Sequence, residues 1–268
     1  MSDNRTPLRW GILGTGTIAK TYADALLHAE GASLAAVATR GPTTSVSTER
    51  FPGARIVSGY EALLADADID AVYIATPHPS HVHWAILAAE AGKAVVCEKP
   101  IGTSAAEAGA AFEAARKAGV FMMEAFMYRF HPQIQRLIEL LRSGEIGEIR
   151  LIEASFGFDK AFQAEHRLYA NDRAGGGILD VGCYPMSLAR LVAGAAVGKP
   201  FLDPVKVVGA GRFAETGVDA VAVASVEFPG GILAQLSTSV ALAQENKVRI
   251  VGSKGRIELD QPLSLIHI

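Results

Sequence analysis

The stretch Gly11-Ile12-Leu13-Gly14-Thr15-Gly16-Thr17-Ile18-Ala19 restricts the architectures open to this chain more than any other. Before it, Leu8 to Leu13 is an apolar run of strand length. After it, Ile18, Tyr22, Ala25 and Leu26 recur at helical spacing, which predicts a helix from Ile18 to Glu30. Gly14-x-Gly16-x-x-Ala19 therefore falls on a strand-to-helix turn, the setting in which such a fingerprint binds a dinucleotide. Gly14 permits a tight turn, Gly16 lets backbone amides approach a pyrophosphate, and Ala19 keeps the helix close to the sheet. The helix N-terminus, with Thr17 and Ile18 in its first turn, directs a partial positive charge at the phosphates.

Leu34 to Arg40 reads as a second buried strand. An NAD site carries an acidic residue near the end of this strand to bind the ribose 2′-hydroxyl, yet no Asp or Glu stands between Glu30 and Glu49. Thr39 and Arg40 occupy the place, and a guanidinium suits a 2′-phosphate through charge-assisted bonds. NADP is the expected cofactor. The alternative is that Arg40 stacks on adenine and admits NAD as well. Ala71 to Ala75 is a further central strand, ending in Thr76-Pro77-His78-Pro79-Ser80-His81, with Ser80 placed to cap a helix through Ala91. His78, His81 and His83 lack a Cys or second-half His cluster to complete a coordination set, so no metal site is expected. His81 is expected near the nicotinamide ribose or the nearby backbone.

Ala94 to Cys97 is another buried strand. It ends in Glu98-Lys99, and Pro100 denies it another ladder hydrogen bond. In isolation a Glu-Lys pair reads as a weak surface ion pair. At the carboxyl end of a strand in an α/β fold, where catalytic groups gather, Lys99 becomes a candidate for chemistry. A helix from Ser104 to Ala118 with Gly119 as its stop and a strand from Val120 to Ala125 complete this domain. Phe126 to Pro132 then leads into a helix, Gln133 to Arg142, and Glu148 to Phe158 alternates as the start of a new sheet. The expected domains are 1–126, binding NAD(P), and 127–268, binding substrate and mediating oligomerisation.

Gly175-Gly176-Gly177-Ile178-Leu179-Asp180-Val181-Gly182-Cys183-Tyr184 opens an apolar helix reaching about Val192. Asp180 and Tyr184 are four apart and so share a helix face. A carboxylate and a phenol there can bind substrate hydroxyls and share a proton relay; the alternative is that Asp180 caps or pairs structurally while Tyr184 fills the core. From Val205 onward the chain reads as strands: Val205–Arg212, Val218–Phe228, Ile232–Ala241, Lys247–Val251 and Arg256–Leu259. Gly230-Gly231 and Ser253-Lys254-Gly255 are turn signals. The fold class is α/β: an N-terminal Rossmann domain and a C-terminal α+β domain, with an open, mostly antiparallel sheet carrying helices on one face.

Composition bounds the partners. A chain of 268 residues, half hydrophobic and a fifth charged, describes a soluble globular protein, and its net charge of −3 leaves no electrostatic footprint for nucleic acid or an anionic membrane. Cys97 and Cys183 lie in apolar surroundings, so a disulfide framework is not expected. Met1 to Arg9 is polar and lacks a signal-peptide core, and no apolar run approaches bilayer-spanning length. A cytoplasmic location is expected.

Five landmarks in order resemble the glucose–fructose oxidoreductase / inositol dehydrogenase (Gfo/Idh/MocA) family. They are Gly14-x-Gly16-x-x-Ala19, Thr39-Arg40, Thr76-Pro77…His81, Glu98-Lys99-Pro100 and Gly175-Gly176-Gly177…Asp180-x-x-x-Tyr184. Within the family they look most like the dimeric dihydrodiol dehydrogenase and NADP-dependent xylose dehydrogenase branch. The resemblance implies that Thr76, Pro77, His81, Glu98, Lys99 and Arg129 line the cofactor. It also makes Lys99 the catalytic lysine, with Asp180 and Tyr184 lining the substrate pocket. Many members carry histidine where Tyr184 stands; tyrosine fits the sugar or dihydrodiol branch. Implied with it are NADP-dependent hydride transfer at a hydroxyl or carbonyl carbon of a sugar, cyclic polyol or trans-dihydrodiol, and a homodimer or homotetramer built through the C-terminal sheet. A non-catalytic NADP sensor of the same fold is the alternative, and the joint presence of Lys99, Asp180 and Tyr184 argues against it. Relatives of this type continue past Gly252-Ser253-Lys254-Gly255 with more sheet and a helix. This chain stops at the short apolar tail Leu263 to Ile268, which reads as a truncated end, leaving an apolar edge prone to self-association.

Overall fold

The structure is a computed structural model that describes residues 6–263; most of the apolar tail, Ser264 to Ile268, lies outside the described residues. The chain divides into two compact units, Met1–Ala125 and Phe126–Ile268.

The first unit is a six-stranded parallel sheet. Its strands are β1 (Leu8–Leu13), β2 (Ala32–Thr39), β3 (Arg55–Ser58), β4 (Ala71–Ile74), β5 (Ala94–Cys97) and β6 (Met122–Glu124), ordered β3-β2-β1-β4-β5-β6. The order reverses between β1 and β4, and ligands of open α/β sheets bind beyond the strand carboxyl ends at such a reversal. Helices α1 (Thr17–Leu26), α2 (Tyr60–Leu64), α3 (His81–Glu90) and α4 (Ala105–Ala118) make the crossovers. Strand alternation supplies a core to each face. Leu13, Ile74, Val95 and Cys97 join Trp84 and Ala111 on one side; Ile12, Val37, Tyr73 and Val96 join Ala19 and Phe51 on the other. At α4, Ser104 accepts the Glu107 amide at 3.2 Å, Glu107 accepts the Thr103 amide at 2.9 Å, and Gly119 closes the helix at φ +69°.

Two helix ends differ from the sequence reading. The first helix stops at Leu26 rather than Glu30, because the amides of His28 and Ala29 tighten to Ala25 and Leu26 and Leu27 is 60% exposed, so the apolar face has run out. Ser80 makes no side-chain cap. A 3₁₀ turn at His78–Ser80 runs straight into α3, and the Ser80 hydroxyl lies 2.9 Å from both Thr76 Oγ1 and the Pro77 carbonyl.

The second unit starts with α5 (Pro132–Arg142) and β7 (Ile149–Asp159). After a long connection comes a π-helical turn at Ile178–Gly182, which runs into α6 (Cys183–Ala196). Strands β8 (Lys206–Phe213), β9 (Asp219–Glu227), β10 (Leu233–Ser239), β11 (Ala241–Gly252) and β12 (Arg256–Asp260) complete a sheet ordered β12-β11-β7-β10-β9-β8. Only the β7–β10 pair is parallel. Leu188 and Val192 of α6 and Leu137 of α5 pack on Ile152, Ala234, Val248 and Ile250. The other face presents Glu153, Ser155, Val208, Val223, Gln235, Lys247 and Arg249 in an open groove.

The alternation predicts one strand through Ile232–Ala241 and a short one over Lys247–Val251. The break instead falls after Ser239, whose buried hydroxyl oxygen accepts the amides of Ala241 and Leu242 at 2.9 and 2.7 Å. The helical stretch Asn171–Ala196 meets the length and hydropathy needed to cross a membrane, but 61% of its most apolar window is buried inside the protein.

Candidate active site

The fingerprint turn has the geometry its residue types require. Gly14 adopts φ +110°, and a Cβ there would lie 2.6 Å from the Ala75 carbonyl oxygen, so neither the conformation nor the space admits another residue. Gly16 faces open space, with nothing within 4 Å of a Cβ position. The first intrahelical bond of α1 runs from Lys20 to Gly16, which leaves the amides of Thr17, Ile18 and Ala19 with no acceptor inside the helix. Ala19 is fully buried against the sheet. A pyrophosphate fits this cradle of glycine and helix-end amides.

At the end of β2, Thr39 Oγ1 accepts the Gly41 amide at 3.1 Å, and Arg40 is exposed. Burial pushes the Tyr60 hydroxyl pKa up, while the Arg40 guanidinium hydrogen-bonded to it pulls the other way. Tyr60 on α2 is thus a neighbour of the proposed 2′-phosphate contact that the sequence did not single out. Tyr60 sits edge-on to Trp84 at 4.9 Å, a long-range packing that no local pattern announces.

At the ends of β4 and β5, His81 is fully buried. Its Nδ1 lies 2.8 Å from the Pro100 carbonyl and its Nε2 2.7 Å from the Thr76 carbonyl. Burial lowers its pKa, with the two carbonyls opposing. Of its two expected places, the structure gives it the nearby backbone: it ties the segment after β4 to the one after β5. Glu98 is 9% exposed and accepts the Tyr73 hydroxyl at Oε1 and the Lys99 amide, at 3.3 Å, at Oε2. Burial pushes its pKa up, and Tyr73 and Lys99 draw it back. Lys99 itself is half-buried and joined to Pro100 by a cis peptide. Glu124 of β6 accepts the Ile101 amide at 2.9 Å, holding the same turn from the other side. Thr76 is 8% exposed, with Pro77 next to it.

In the second unit, Asp180 is 5% exposed and accepts a hydrogen bond from Arg167 at 2.8 Å. Asp219 at the start of β9 accepts the Ile178 amide at 2.7 Å and so anchors the turn that carries Asp180. Gly176, at φ +112°, admits that approach, since a Cβ would fall 2.2 Å from Asp219 Oδ1. Neither Arg167 nor Asp219 was found from the sequence; only Arg167, 13 residues before Asp180, is near enough in the chain to have been a signal. Tyr184 is 4% exposed, with its ring edge-on to Phe126 at 5.3 Å and Phe156 at 5.7 Å. The single helix expected to carry both Asp180 and Tyr184 is in fact two segments, a π turn holding Asp180 and α6, which begins at Cys183, holding Tyr184. An (i, i+5) turn interrupts the α-helical register on which the four-residue spacing relied. Arg129, expected at the cofactor, lies with its guanidinium 5.3 Å over the Phe201 ring, which Arg190 also approaches at 5.3 Å. Among the described residues, no three His, Cys, Asp or Glu side chains gather as a metal site.

Residues 8–126 match the Gfo/Idh/MocA oxidoreductase family's NAD-binding Rossmann fold, and residues 134–258 match its C-terminal domain. A trans-1,2-dihydrobenzene-1,2-diol dehydrogenase of Mus musculus is 36% identical over 259 residues, covering 95% of this chain and 75% of that protein. A D-xylose 1-dehydrogenase (NADP(+)) of Haloferax volcanii is 36% identical over 253 residues, 94% of this chain and 75% of its own length. Among solved structures, KijD10, a 3-ketoreductase from Actinomadura kijaniata in complex with NADP and TDP-benzene, superposes with a TM-score of 0.84 at 34% identity, covering 97% of this chain and 78% of that one. With both units matched and relatives above 30% identity along nearly its whole length, the chain belongs to the Gfo/Idh/MocA family of oxidoreductases.

Proposed function

We propose that the protein is an NADP-dependent dehydrogenase that moves hydride between the nicotinamide and a hydroxyl or carbonyl carbon of a sugar, cyclic polyol or trans-dihydrodiol. The observation that carries the reading is the half-buried Lys99, held at the carboxyl end of β5 by a buried glutamate on one side and by Pro100, tied through His81, on the other. The sugar and diol dehydrogenases among its relatives supply the substrate class.

NADP, when bound, supplies hydride acceptance and donation at the nicotinamide. The amides of Thr17 and Ile18 beyond Gly14 and Gly16 bind the pyrophosphate, and Thr39 and Arg40 bind the 2′-phosphate. Thr76, Pro77 and Glu98 shape the nicotinamide end, with His81 fixing their backbone. In the oxidative direction Lys99 takes the proton leaving the substrate hydroxyl; in the reductive direction it returns one. Tyr184 hydrogen-bonds a substrate oxygen, and Asp180 orients a neighbouring hydroxyl. We assign residues 1–126 to the cofactor and 127–268 to the substrate, and place the protein in the cytoplasm.

The open face of the second sheet exposes Val208 by 58% and Val223 by 51% amid Glu153, Lys247 and Arg249. A second copy of the chain is its proposed partner, in a homodimer or a homotetramer, and sedimentation of the purified protein tests that. The functional test is a panel of aldoses, cyclic polyols and trans-dihydrodiols mixed with NADP while nicotinamide absorbance is followed. Turnover of a panel member supports the reading. Tight NADP binding without turnover of any member would instead favour a sensor.

A further inference from the structure

Strand alternation puts Val96 and Glu98 on one face of the first unit's sheet, and Tyr73 pairs in register with Val96 from the neighbouring strand. The Tyr73 ring is 2% exposed and stacks on Tyr22 of α1, with centroids 3.8 Å apart and planes at 8°. Trp10 meets Tyr22 edge-on at 5.4 Å. This aromatic column fixes the Tyr73 hydroxyl, which donates to Glu98 Oε1, while Glu98 Oε2 takes the Lys99 amide. A glutamate buried to this degree is costly unless its charge is compensated, and nothing in cofactor binding by itself requires a tyrosine behind it.

Resting on the reading of Lys99 as the proton-transfer group, we propose that Tyr73 and Glu98 are a buried positioning pair that fixes the main chain at Lys99 and supplies the negative charge beside its ammonium. Tyr22 lies behind Tyr73, Cys97 precedes Glu98 with its thiol pushed well up by burial, and Glu124 faces Cys97 from β6. Burial drives the Glu98 pKa up, and the Tyr73 hydroxyl and Lys99 restrain it. Removing the hydroxyl therefore moves Glu98 further up and empties its ionised form at a higher pH.

Tyr73→Phe keeps the stack on Tyr22, and Glu98→Gln removes the charge while keeping one acceptor oxygen for one of the two donors. The first measurement needs no substrate: the full chain is labelled with limiting acetic anhydride at neutral pH, and Lys99 is compared by mass spectrometry with the exposed Lys117. With the pair broken the main chain at Lys99 is no longer held and its half-buried amine opens more often to solvent, so Lys99 in both variants should label about three- to tenfold faster than in wild type. Equal labelling in all three proteins overturns the pair, even where wild type turns over a sugar. The second measurement is the dependence of kcat on pH. A limb that reports Glu98 should move to higher pH in Tyr73→Phe and be missing in Glu98→Gln, and a profile identical in all three overturns the pair. Altered labelling together with no turnover of any panel member by wild type refutes the dehydrogenase reading while upholding the pair.

Discussion

Each unit buries one carboxylate next to the residues proposed to do chemistry, and the two are compensated differently. Glu98, at a strand end, is met by a neutral hydroxyl and a backbone amide, with Lys99 following it in the chain. Asp180, in a π turn, is met by a full guanidinium from Arg167, whose own side chain is 57% exposed. The first arrangement leaves a carboxylate whose ionisation responds to its surroundings, suited to adjusting a neighbour. The second pins a carboxylate in place, suited to orienting a ligand. Position in the fold explains the contrast. Glu98 follows directly on β5, where its amide bonds the Ile74 carbonyl and its carboxylate the Tyr73 hydroxyl, whereas Asp180 belongs to a turn that Asp219 and Arg167 must hold from outside.

The contrast breaks first at Lys99. Lys99→Met should retain NADP affinity and lower turnover by about a hundredfold or more, the usual scale for a lost acid–base group. Cofactor titration alongside steady-state kinetics checks both halves, and near-normal turnover would remove Lys99 from the mechanism. Arg40→Ala comes next. One charge-assisted phosphate contact contributes about 1.5–3 kcal/mol, so the Kd for NADP should rise steeply while that for NAD hardly moves; parallel losses would mean that Arg40 does not read the 2′-phosphate.

Arg167→Ala sharpens the comparison on the other side. Removing one partner of a fully buried pair costs about 3–5 kcal/mol, and the exposure of Arg167 reduces that to about 1–2 kcal/mol. Urea unfolding should show the loss, and the KM for the sugar or diol should rise while the NADP Kd stays put. Unchanged stability and KM would show that Asp180 does not depend on its guanidinium. A smaller effect is expected at the anchor of the π turn. Asp219→Ala should destabilise by about 1 kcal/mol, the net value of a hydrogen bond, and Asp219→Asn, which keeps an acceptor, should recover most of it.

The smallest effect concerns pH. Burial raises the folded-state pKa of Glu98 above its unfolded value. Its contribution to stability is then complete below the unfolded pKa and is lost as pH rises through the folded one. The melting temperature of Glu98→Gln relative to wild type should therefore climb with pH across that window. A difference that stays flat or falls with pH would contradict the sign.

What the sequence made legible follows the same division. The Rossmann sheet, its turn at Gly14 and Gly16, the capped helix ending at Gly119 and the strand ending at Glu98 were readable because each depends on neighbours within a few residues. The α+β class of the second unit was readable from alternation. The break at Ser239 was not, because it depends on one hydroxyl accepting two amides rather than on a change of period. The π turn escaped because its glycines and apolar residues also suit an α-helix. Arg167, Asp219, Tyr60 and Tyr73 escaped because they reach the candidate site residues from other elements, up to 41 residues away in the chain for the Asp219–Ile178 bond. Arg129 is likewise placed from a distant segment, with its guanidinium over the Phe201 ring.

Hydride transfer to NADP is seen by following the hydride itself. A panel member that is turned over is prepared with deuterium on the carbon bearing the reacting hydroxyl and incubated with the protein and NADP, and the NADPH formed is weighed by mass spectrometry. The NADPH should carry the deuterium and form more slowly than from the unlabelled substrate wherever hydride transfer limits the rate. NADPH without deuterium, or no NADPH from any member of the panel, would contradict hydride transfer to NADP.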